Sequence, residues 1–186
     1  MHCRRLELTP LALSFVLMLG ARELFGQARI ISLAATSPSA IALIVTSGAV
    51  QTITGVTDNA VNNFPSPVVI QTTWSVSPLT NTVDLVAYFT LPAQAMVGPS
   101  TDIPSSRILG RMTTGLPTTF TPMNQNGVAG VGTAGGSLRL YSVNISGTNK
   151  SSSRTDNLDL QLNLAGFPPL PAGTYVGVLN LRAVTQ

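Results

Sequence analysis

The chain has 186 residues, enough for one well-filled domain, and only 9% of them are charged. The formal net charge is +3, and the basic residues are scattered along the chain without forming a run. Such a sequence does not favour nucleic-acid binding, which needs a concentrated basic patch.

Residues 1–28 have the pattern of a secretory signal peptide. Arg4 and Arg5 make a positive start, residues 11–20 form a hydrophobic run, and small residues precede the expected cleavage site. That run is far shorter than the roughly 20 residues that a membrane-spanning helix needs. We therefore expect a signal-peptide helix that is removed. The product, residues 29–186, is then a single secreted domain, extracellular or periplasmic, without a stable membrane span.

Removal of the signal peptide changes the chemistry that the chain can perform. All residues of three reactive types lie in the removed part: His2, Cys3, Glu7 and Glu23. Without imidazole or thiol, the mature chain cannot form a Ser-His or Cys-His catalytic pair, and a zinc or copper site lacks its usual ligands. We therefore expect a protein that is not an enzyme, binds no cofactor or metal, and contains no disulfide bond.

Two alternatives use the aspartates that remain. An Asp-only hydrolase would need two opposed carboxylates, but the odd separation of Asp156 and Asp159 places them on opposite faces of a strand. Calcium binding by Asp156, Asn157 and Asp159 is the second alternative, although these residues lack the regular spacing of known calcium loops.

The clearest structural signal is the stretch 157–164, in which leucine and a polar residue alternate for eight positions. This pattern predicts a β-strand with one dry face and one wet face, as in many antiparallel sheets. Similar but weaker patterns predict strands over residues 40–46, 50–56, 68–77, 82–91, 107–112, 116–121, 137–145 and 174–185. Roughly eight or nine short strands between turn-rich segments indicate an all-β protein, and we expect an immunoglobulin-like antiparallel β-sandwich.

The spacing of the strands also predicts local connections. We expect residues 68–77 and 82–91 to pair as one hairpin, and residues 157–164 and 174–185 as another. The segment 147–155 is expected to be a polar loop. The alternation slips near Ser142, which predicts a β-bulge. The glycines of residues 130–135 match a dinucleotide-binding pattern but lack the strand before and the helix after, so we expect a connecting loop.

Alternation also sorts the aromatic and charged side chains. Trp74 shares its face with Ile70 and Val76 and is expected in the core. Tyr175, at a strand entrance, is expected to pin a corner of the sandwich. The best candidates for an exposed binding surface, all expected on polar faces, are Tyr88, Tyr141, Arg139, Arg182 and Asp84.

The C-terminal residues 170–181, LPAGTYVGVLNL, resemble the last strand of small exported bacterial β-sandwich proteins, including pilin-like and spore-coat-like subunits. The segment from Trp74 to Phe89 resembles a hairpin of uncharacterised secreted families. Gly173 matches a pilin glycine fourteen residues from the end, whereas Thr185 departs from the pilin aromatic residue and the cysteine pair is missing. The resemblance implies an exported, non-catalytic subunit.

Two functions are consistent with these observations. The first is a structural or adhesive role at the cell surface, such as a fimbrial-type subunit, with other copies or other surface proteins as partners. Residues 29–35 could then donate a strand to a neighbour. The second is a carbohydrate-binding module that stacks a glycan on Tyr88, Tyr141 or Trp74.

Overall fold

The computed structural model describes residues 40–77 and 79–186. The predicted signal peptide and the candidate donor at residues 29–35 lie outside the described residues. Two antiparallel sheets face each other across one hydrophobic core, as the sequence predicted for a β-sandwich. Among the described residues, no helix is both long enough and apolar enough to cross a membrane.

Nine strands are present in this part of the chain: β1 (Ala40–Ser47), β2 (Val61–Asn63), β3 (Val68–Ser75), β4 (Thr82–Tyr88), β5 (Ile108–Met112), β6 (Thr121–Pro122), β7 (Ser137–Asn144), β8 (Ser151–Asn163) and β9 (Asn180–Thr185). The large sheet has the order β1-β3-β8-β5-β6, and β2 also pairs with β8. The small sheet has the order β7-β4-β9. Two short 3-10 turns, Pro92–Gln94 and Ser105–Arg107, lie between β4 and β5.

Strand β8 lies at the centre of the large sheet. Its leucines alternate as predicted, and Leu158, Leu160 and Leu162 are buried in the core. The strand begins at Ser151, well before the alternating stretch, in a segment that we expected to be a loop. Its first residues pair with the last residues of β3, from Thr72 to Ser75. Both strands are rich in Ser and Thr there. The sequence therefore has no apolar alternation from which this backbone pairing could be predicted.

The two predicted hairpins are wrong. Strand β3 belongs to the large sheet and β4 to the small one, and β8 and β9 are divided in the same way. Each connection therefore crosses from one layer to the other. The apolar faces of two consecutive strands meet the same core whether the strands pair side by side or face each other, so alternation does not distinguish these arrangements.

Several predicted strands are shorter than expected or absent. Residues 50–56 form no strand, and Val50 is 70% exposed. Of residues 116–121, only the last belongs to a strand, β6. The final strand begins at Asn180, where its pairing with Tyr88 of β4 begins. The preceding residues 174–179 contribute one isolated bridge, between Val176 and Val97.

A register shift occurs in β7, as the sequence predicted, but closer to its start. Leu85 lies opposite Tyr141 and Val86 opposite Arg139, so Leu140 is the additional residue. Leu140 and Tyr141 are both buried as a result.

The structural predictions for Trp74 and for the glycine-rich segment are confirmed, whereas Tyr175 makes a backbone contact but lies five residues before the strand that it was expected to begin. Trp74 is buried, and its Nε1 donates a hydrogen bond of 2.9 Å to the carbonyl of Asn149. The hydroxyl of Tyr175 donates a 3.0 Å bond to the carbonyl of Pro171, four residues upstream. The glycine-rich segment before β7 includes a tight turn between Val128 and Val131, and a strand follows it.

The division of the large sheet into a dry and a wet face can be tested with two isoleucines. Ile70 of β3 is 0% exposed and Ile44 of β1 is 55% exposed. We expect Ile70→Ala to lower the free energy of unfolding by about 2 to 5 kcal/mol, because it leaves a cavity. The matched Ile44→Ala should cost less than about 1 kcal/mol, since its side chain is largely in water. Urea unfolding measures both; equal losses would contradict the assigned faces.

Candidate functional site

Four of the five residues predicted to form a binding surface lie on the outer face of the small sheet. Arg139 of β7 and Arg182 of β9 are both opposite Val86 of β4, so the two arginines flank it. Tyr88 and Asp84 occupy the neighbouring outward positions of β4. The structure therefore brings these four side chains to one face, as alternation predicted.

Much of this surface is not available to a ligand. Asp84 is 1% exposed, with its Oδ1 3.6 Å from Arg139 Nε and its Oδ2 accepting a 2.8 Å hydrogen bond from the hydroxyl of Thr82. Tyr88 is half-buried, so the exposed members are Arg139 and Arg182. A face that presents two arginines and no open aromatic ring is a weak platform for a sugar.

Tyr141 does not lie on the exposed face to which the sequence assigned it. The register shift at Leu140 turns its ring into the core, where it is 3% exposed. It meets a pair of charged residues from β8 there: the guanidinium carbon of Arg154 lies 4.1 Å from the centre of the ring. This distance is typical of a cation–π contact.

Arg154 and Asp156 form a two-pronged ion pair on the core-facing side of β8. Arg154 Nε donates to Asp156 Oδ2 and its Nη2 to Oδ1, each at 2.6 Å. The hydroxyl of Thr114 also donates to Oδ1, and Arg154 Nη2 donates to the carbonyl of Thr114 at 3.1 Å. Asp156 is 1% exposed, so these bonds replace the water that the carboxylate has lost.

Two buried hydroxyls beside this pair are neighbours of each other but are not well hydrogen-bonded. Within the described residues, neither Tyr141 OH nor Thr72 Oγ1 makes a hydrogen bond of acceptable geometry, although both are buried. Burial raises the pKa of Tyr141 from 10.0 to about 12; the neighbouring Thr72 hydroxyl and the charge of Arg154 oppose only part of this shift. The cluster therefore joins β7 of the small sheet to β8 of the large sheet, at the cost of two poorly satisfied buried hydroxyls.

The calcium alternative is not supported by the geometry. Asp156 faces the core, whereas Asp159 lies on the outer face of the same strand with Arg111 as its partner. The residues from 40 onward that the structure describes contain no cluster of three or more potential metal-ligating His, Cys, Asp or Glu side chains.

An open groove lies on the outer face of the large sheet. Its volume is about 340 Å³, and it crosses β8 at Asp159 and Gln161. One wall is the connection from β2 to β3, residues 64–67, and the other consists of Arg111 of β5 and Phe120 before β6. The wall at residues 64–67 exists because Pro65 and Pro67, which lack a backbone N–H, interrupt the pairing with β8 between β2 and β3.

The polar side chains of the groove hold one another in place. Arg111 Nη2 lies 2.6 Å from Asp159 Oδ2, and its Nε donates to the same oxygen at 3.3 Å. The Arg111 guanidinium carbon is 4.5 Å from the centre of the Phe120 ring. On the other side, Gln161 Nε2 donates a 2.8 Å bond to Asn63 Oδ1. Planar groups fixed in this way need little further ordering when a ligand binds.

The sequence did not identify this groove. Alternation along β8 correctly placed Asp159 and Gln161 on the wet face, but their partners are 48 and 98 positions away in the chain. Arg111 was in a weak strand, Asn63 in a predicted loop, and nothing in the sequence pattern joins them.

The buried hydroxyl of Tyr141 gives a test by pH. Because the folded chain holds this phenol neutral, its ionisation does not affect stability below about pH 10, and the free energy of unfolding should fall by roughly 2 to 3 kcal/mol as the pH rises towards 12. In Tyr141→Phe this loss should be absent, and stability at pH 7 should change little since the hydroxyl has no hydrogen bond to lose. Urea unfolding between pH 8 and 11.5 measures the difference between the two proteins; parallel curves would contradict the assignment.

Two aspartates of β8, each paired with an arginine, test how burial changes the contribution of an ion pair to stability. Asp156→Asn leaves Arg154 without its counter-charge at the edge of the core, and we expect a loss of about 3 kcal/mol. Asp159→Asn affects a pair whose side chains are 40% and 24% exposed, so we expect about 0.5 to 1 kcal/mol. Urea unfolding at pH 7 compares them, and a similar loss in both variants would count against a buried role for Asp156.

Comparison of the chain with protein-family models, with curated proteins and with solved structures found no match.

Proposed function

We propose that the protein is a non-catalytic structural or adhesive protein of the cell surface or extracellular space. The proposal rests on the contacts that the aspartate side chains make. All five in the described part of the chain are engaged in structural contacts: Asp84, Asp156 and Asp159 with arginines, and Asp58 and Asp102 with the backbone N–H groups of Leu170 and Gly98.

This use matters because residues 29–186 contain no histidine, cysteine or glutamate. Aspartate is thus the main residue type available there for acid–base catalysis. A catalytic carboxyl group usually works beside a second carboxyl group or in an apolar pocket that raises its pKa. An arginine partner favours the ionised form instead. The pairing of all the buried aspartates with arginines supports a role in holding the structure together.

The fold fits the same proposal. Two antiparallel sheets, a buried tryptophan and a tyrosine bonded to the backbone four residues upstream are features that immunoglobulin-like sandwiches share. These features support the immunoglobulin-like class that we propose for the chain. Sandwiches of this kind commonly act as rigid modules whose surfaces, rather than catalytic groups, perform the function.

Glycan binding through the aromatic residues named from the sequence has less support. Trp74 and Tyr141 are buried, and Tyr88 is half-buried on the arginine-bearing face. A stacking platform needs an accessible ring. Phe64 and Phe120, which are also half-buried, line the groove on the large sheet instead.

Open sheet edges support assembly with other copies. Within the described residues, β1 pairs only with β3, and β9 pairs only with β4. The core-facing residues of β1, Ile41, Leu43 and Val45, are only partly buried. An added strand could satisfy the backbone groups of such an edge and cover its apolar side chains. Residues 29–35, RIISLAA, have the composition of a donor strand.

Size-exclusion chromatography of the mature protein tests strand donation. We expect residues 29–186 to form oligomers whose size grows with concentration, and residues 38–186 to be monomeric. Ile31→Pro in the longer form should also reduce assembly, because proline cannot donate a backbone hydrogen bond; Ile31→Val is the matched control. Monomers in every case would exclude strand donation by this segment.

Localisation tests the wider proposal. The full chain, produced with its own first 28 residues in a bacterial host, should be processed and found outside the cytoplasm. Cell fractionation and immuno-electron microscopy measure this. An unprocessed protein that stays in the cytoplasm, or turnover of a substrate by the purified mature protein, would overturn the proposal.

A further inference from the structure

We propose that the groove across β8 is a binding site for a neutral carbohydrate. The inference rests on the adhesive role proposed above, and it names the class of ligand. The residues that line the groove include Asn63, Phe64, Arg111, Phe120 and Gln161. Its volume, about 340 Å³, is at the lower end of the range of ligand pockets, which suits a sugar ring.

The groove offers a ligand both hydrogen-bond donors and hydrogen-bond acceptors. Three side chains each use one polar atom in a hydrogen bond with a neighbouring side chain: Asp159 Oδ2, Gln161 Nε2 and Asn63 Oδ1. Within the described residues, Asp159 Oδ1 and Gln161 Oε1 remain as acceptors, and Asn63 Nδ2 and Arg111 Nη1 as donors. A sugar hydroxyl both donates and accepts a hydrogen bond, so a mixed set of this kind matches neighbouring hydroxyls on a ring.

The charge of the groove favours a ligand without net charge. Arg111 and Asp159 neutralise each other at 2.6 Å, and the other polar lining residues, Asn63, Ser66 and Gln161, are uncharged. An anionic ligand would have to compete with Asp159 for the guanidinium, and a cationic ligand would meet Arg111. A neutral ligand disturbs neither side chain.

The two phenylalanines supply the apolar part of the site. Phe64 lies on the wall beside β2, and Phe120 lies before β6 on the other side of β8. Both are half-buried, and Phe64 also packs against the hydrophobic core. A pyranose ring has an apolar face of C–H groups and an equatorial rim of hydroxyls, so it can contact aromatic rings and the polar floor together. The guanidinium of Arg111 holds Phe120 in position by packing against it.

The surrounding surface is suited to a longer glycan. Beyond the groove, the wet face of the large sheet carries Gln71, Thr73, Ser153, Thr155 and Asn157, which are uncharged hydrogen-bonding residues. A chain of sugars extending from the groove would meet the same chemistry along β3 and β8.

Affinity electrophoresis of the mature protein, in gels that contain a neutral polysaccharide, tests the proposal. The probes are cellulose derivatives, xylan, mannan, soluble starch and glycol chitin, with the anionic polysaccharides alginate and heparin for comparison. We expect retardation by at least one neutral probe, unaffected by 0.5 M salt. Isothermal titration with oligosaccharides of the retarding probe then gives the affinity.

Variants locate the site. Phe120→Leu and Gln161→Ala should each weaken binding at least tenfold, because they remove the ring or a hydroxyl partner. Arg182→Ala on the small sheet, away from the groove, should change it less than twofold. Urea unfolding confirms that all three variants are folded.

Three outcomes would overturn the inference: no retardation by any neutral probe, retardation only by the anionic probes at low salt, or loss of binding in Arg182→Ala but not in Phe120→Leu. Failure here is separate from failure of the proposed function. A protein that reaches the cell exterior but binds no glycan lacks only the sugar site, whereas a glycan-binding protein retained in the cytoplasm contradicts the surface role.

Discussion

The alternation of leucine with polar residues along β8 is the constraint on which the rest of the structure depends. The strand pairs with β3 and β5, and its leucines face the small sheet across the core. A slip of one residue would place Asp159 and Gln161 in the core and the leucines in water. The pair of Arg154 and Asp156 extends the inward face beyond the leucines. Because these two charges are satisfied only by each other and by Thr114, the pair also opposes a slip.

The sequence predicts the layers of this fold better than its connections. Alternation correctly located β1, β3, β4, β5, β7 and β8, and it placed Trp74 inside. It could not show that consecutive strands face each other, since the same apolar pattern serves a neighbour in the sheet and a neighbour across the core. It also missed the first residues of β8, where Ser151 and Ser152 pair with β3 without any hydrophobic signal.

The candidate sites show a similar division. The five residues chosen from the sequence were selected by counting along strands, and the count failed for Tyr141 because the additional residue is Leu140, slightly before the expected slip. The groove depends on contacts between distant parts of the chain. Gln161 could be placed on the wet face from sequence alone, but its bond to Asn63 follows from the way β2 continues the line of β3 beside β8.

The layer-crossing connections have a consequence for the order in which the sandwich can form. The partners of β4 are β7 and β9, and those of β3 include β8, so most pairing must await segments made much later. Chains dominated by such distant pairing fold slowly, because loop closure is costly before any contact is gained. Strands β1 and β3 can pair early, but the small sheet stays incomplete until β9, the last strand, is made. Under the export that we propose, such a delay would leave time for passage through a translocation channel before the two layers close.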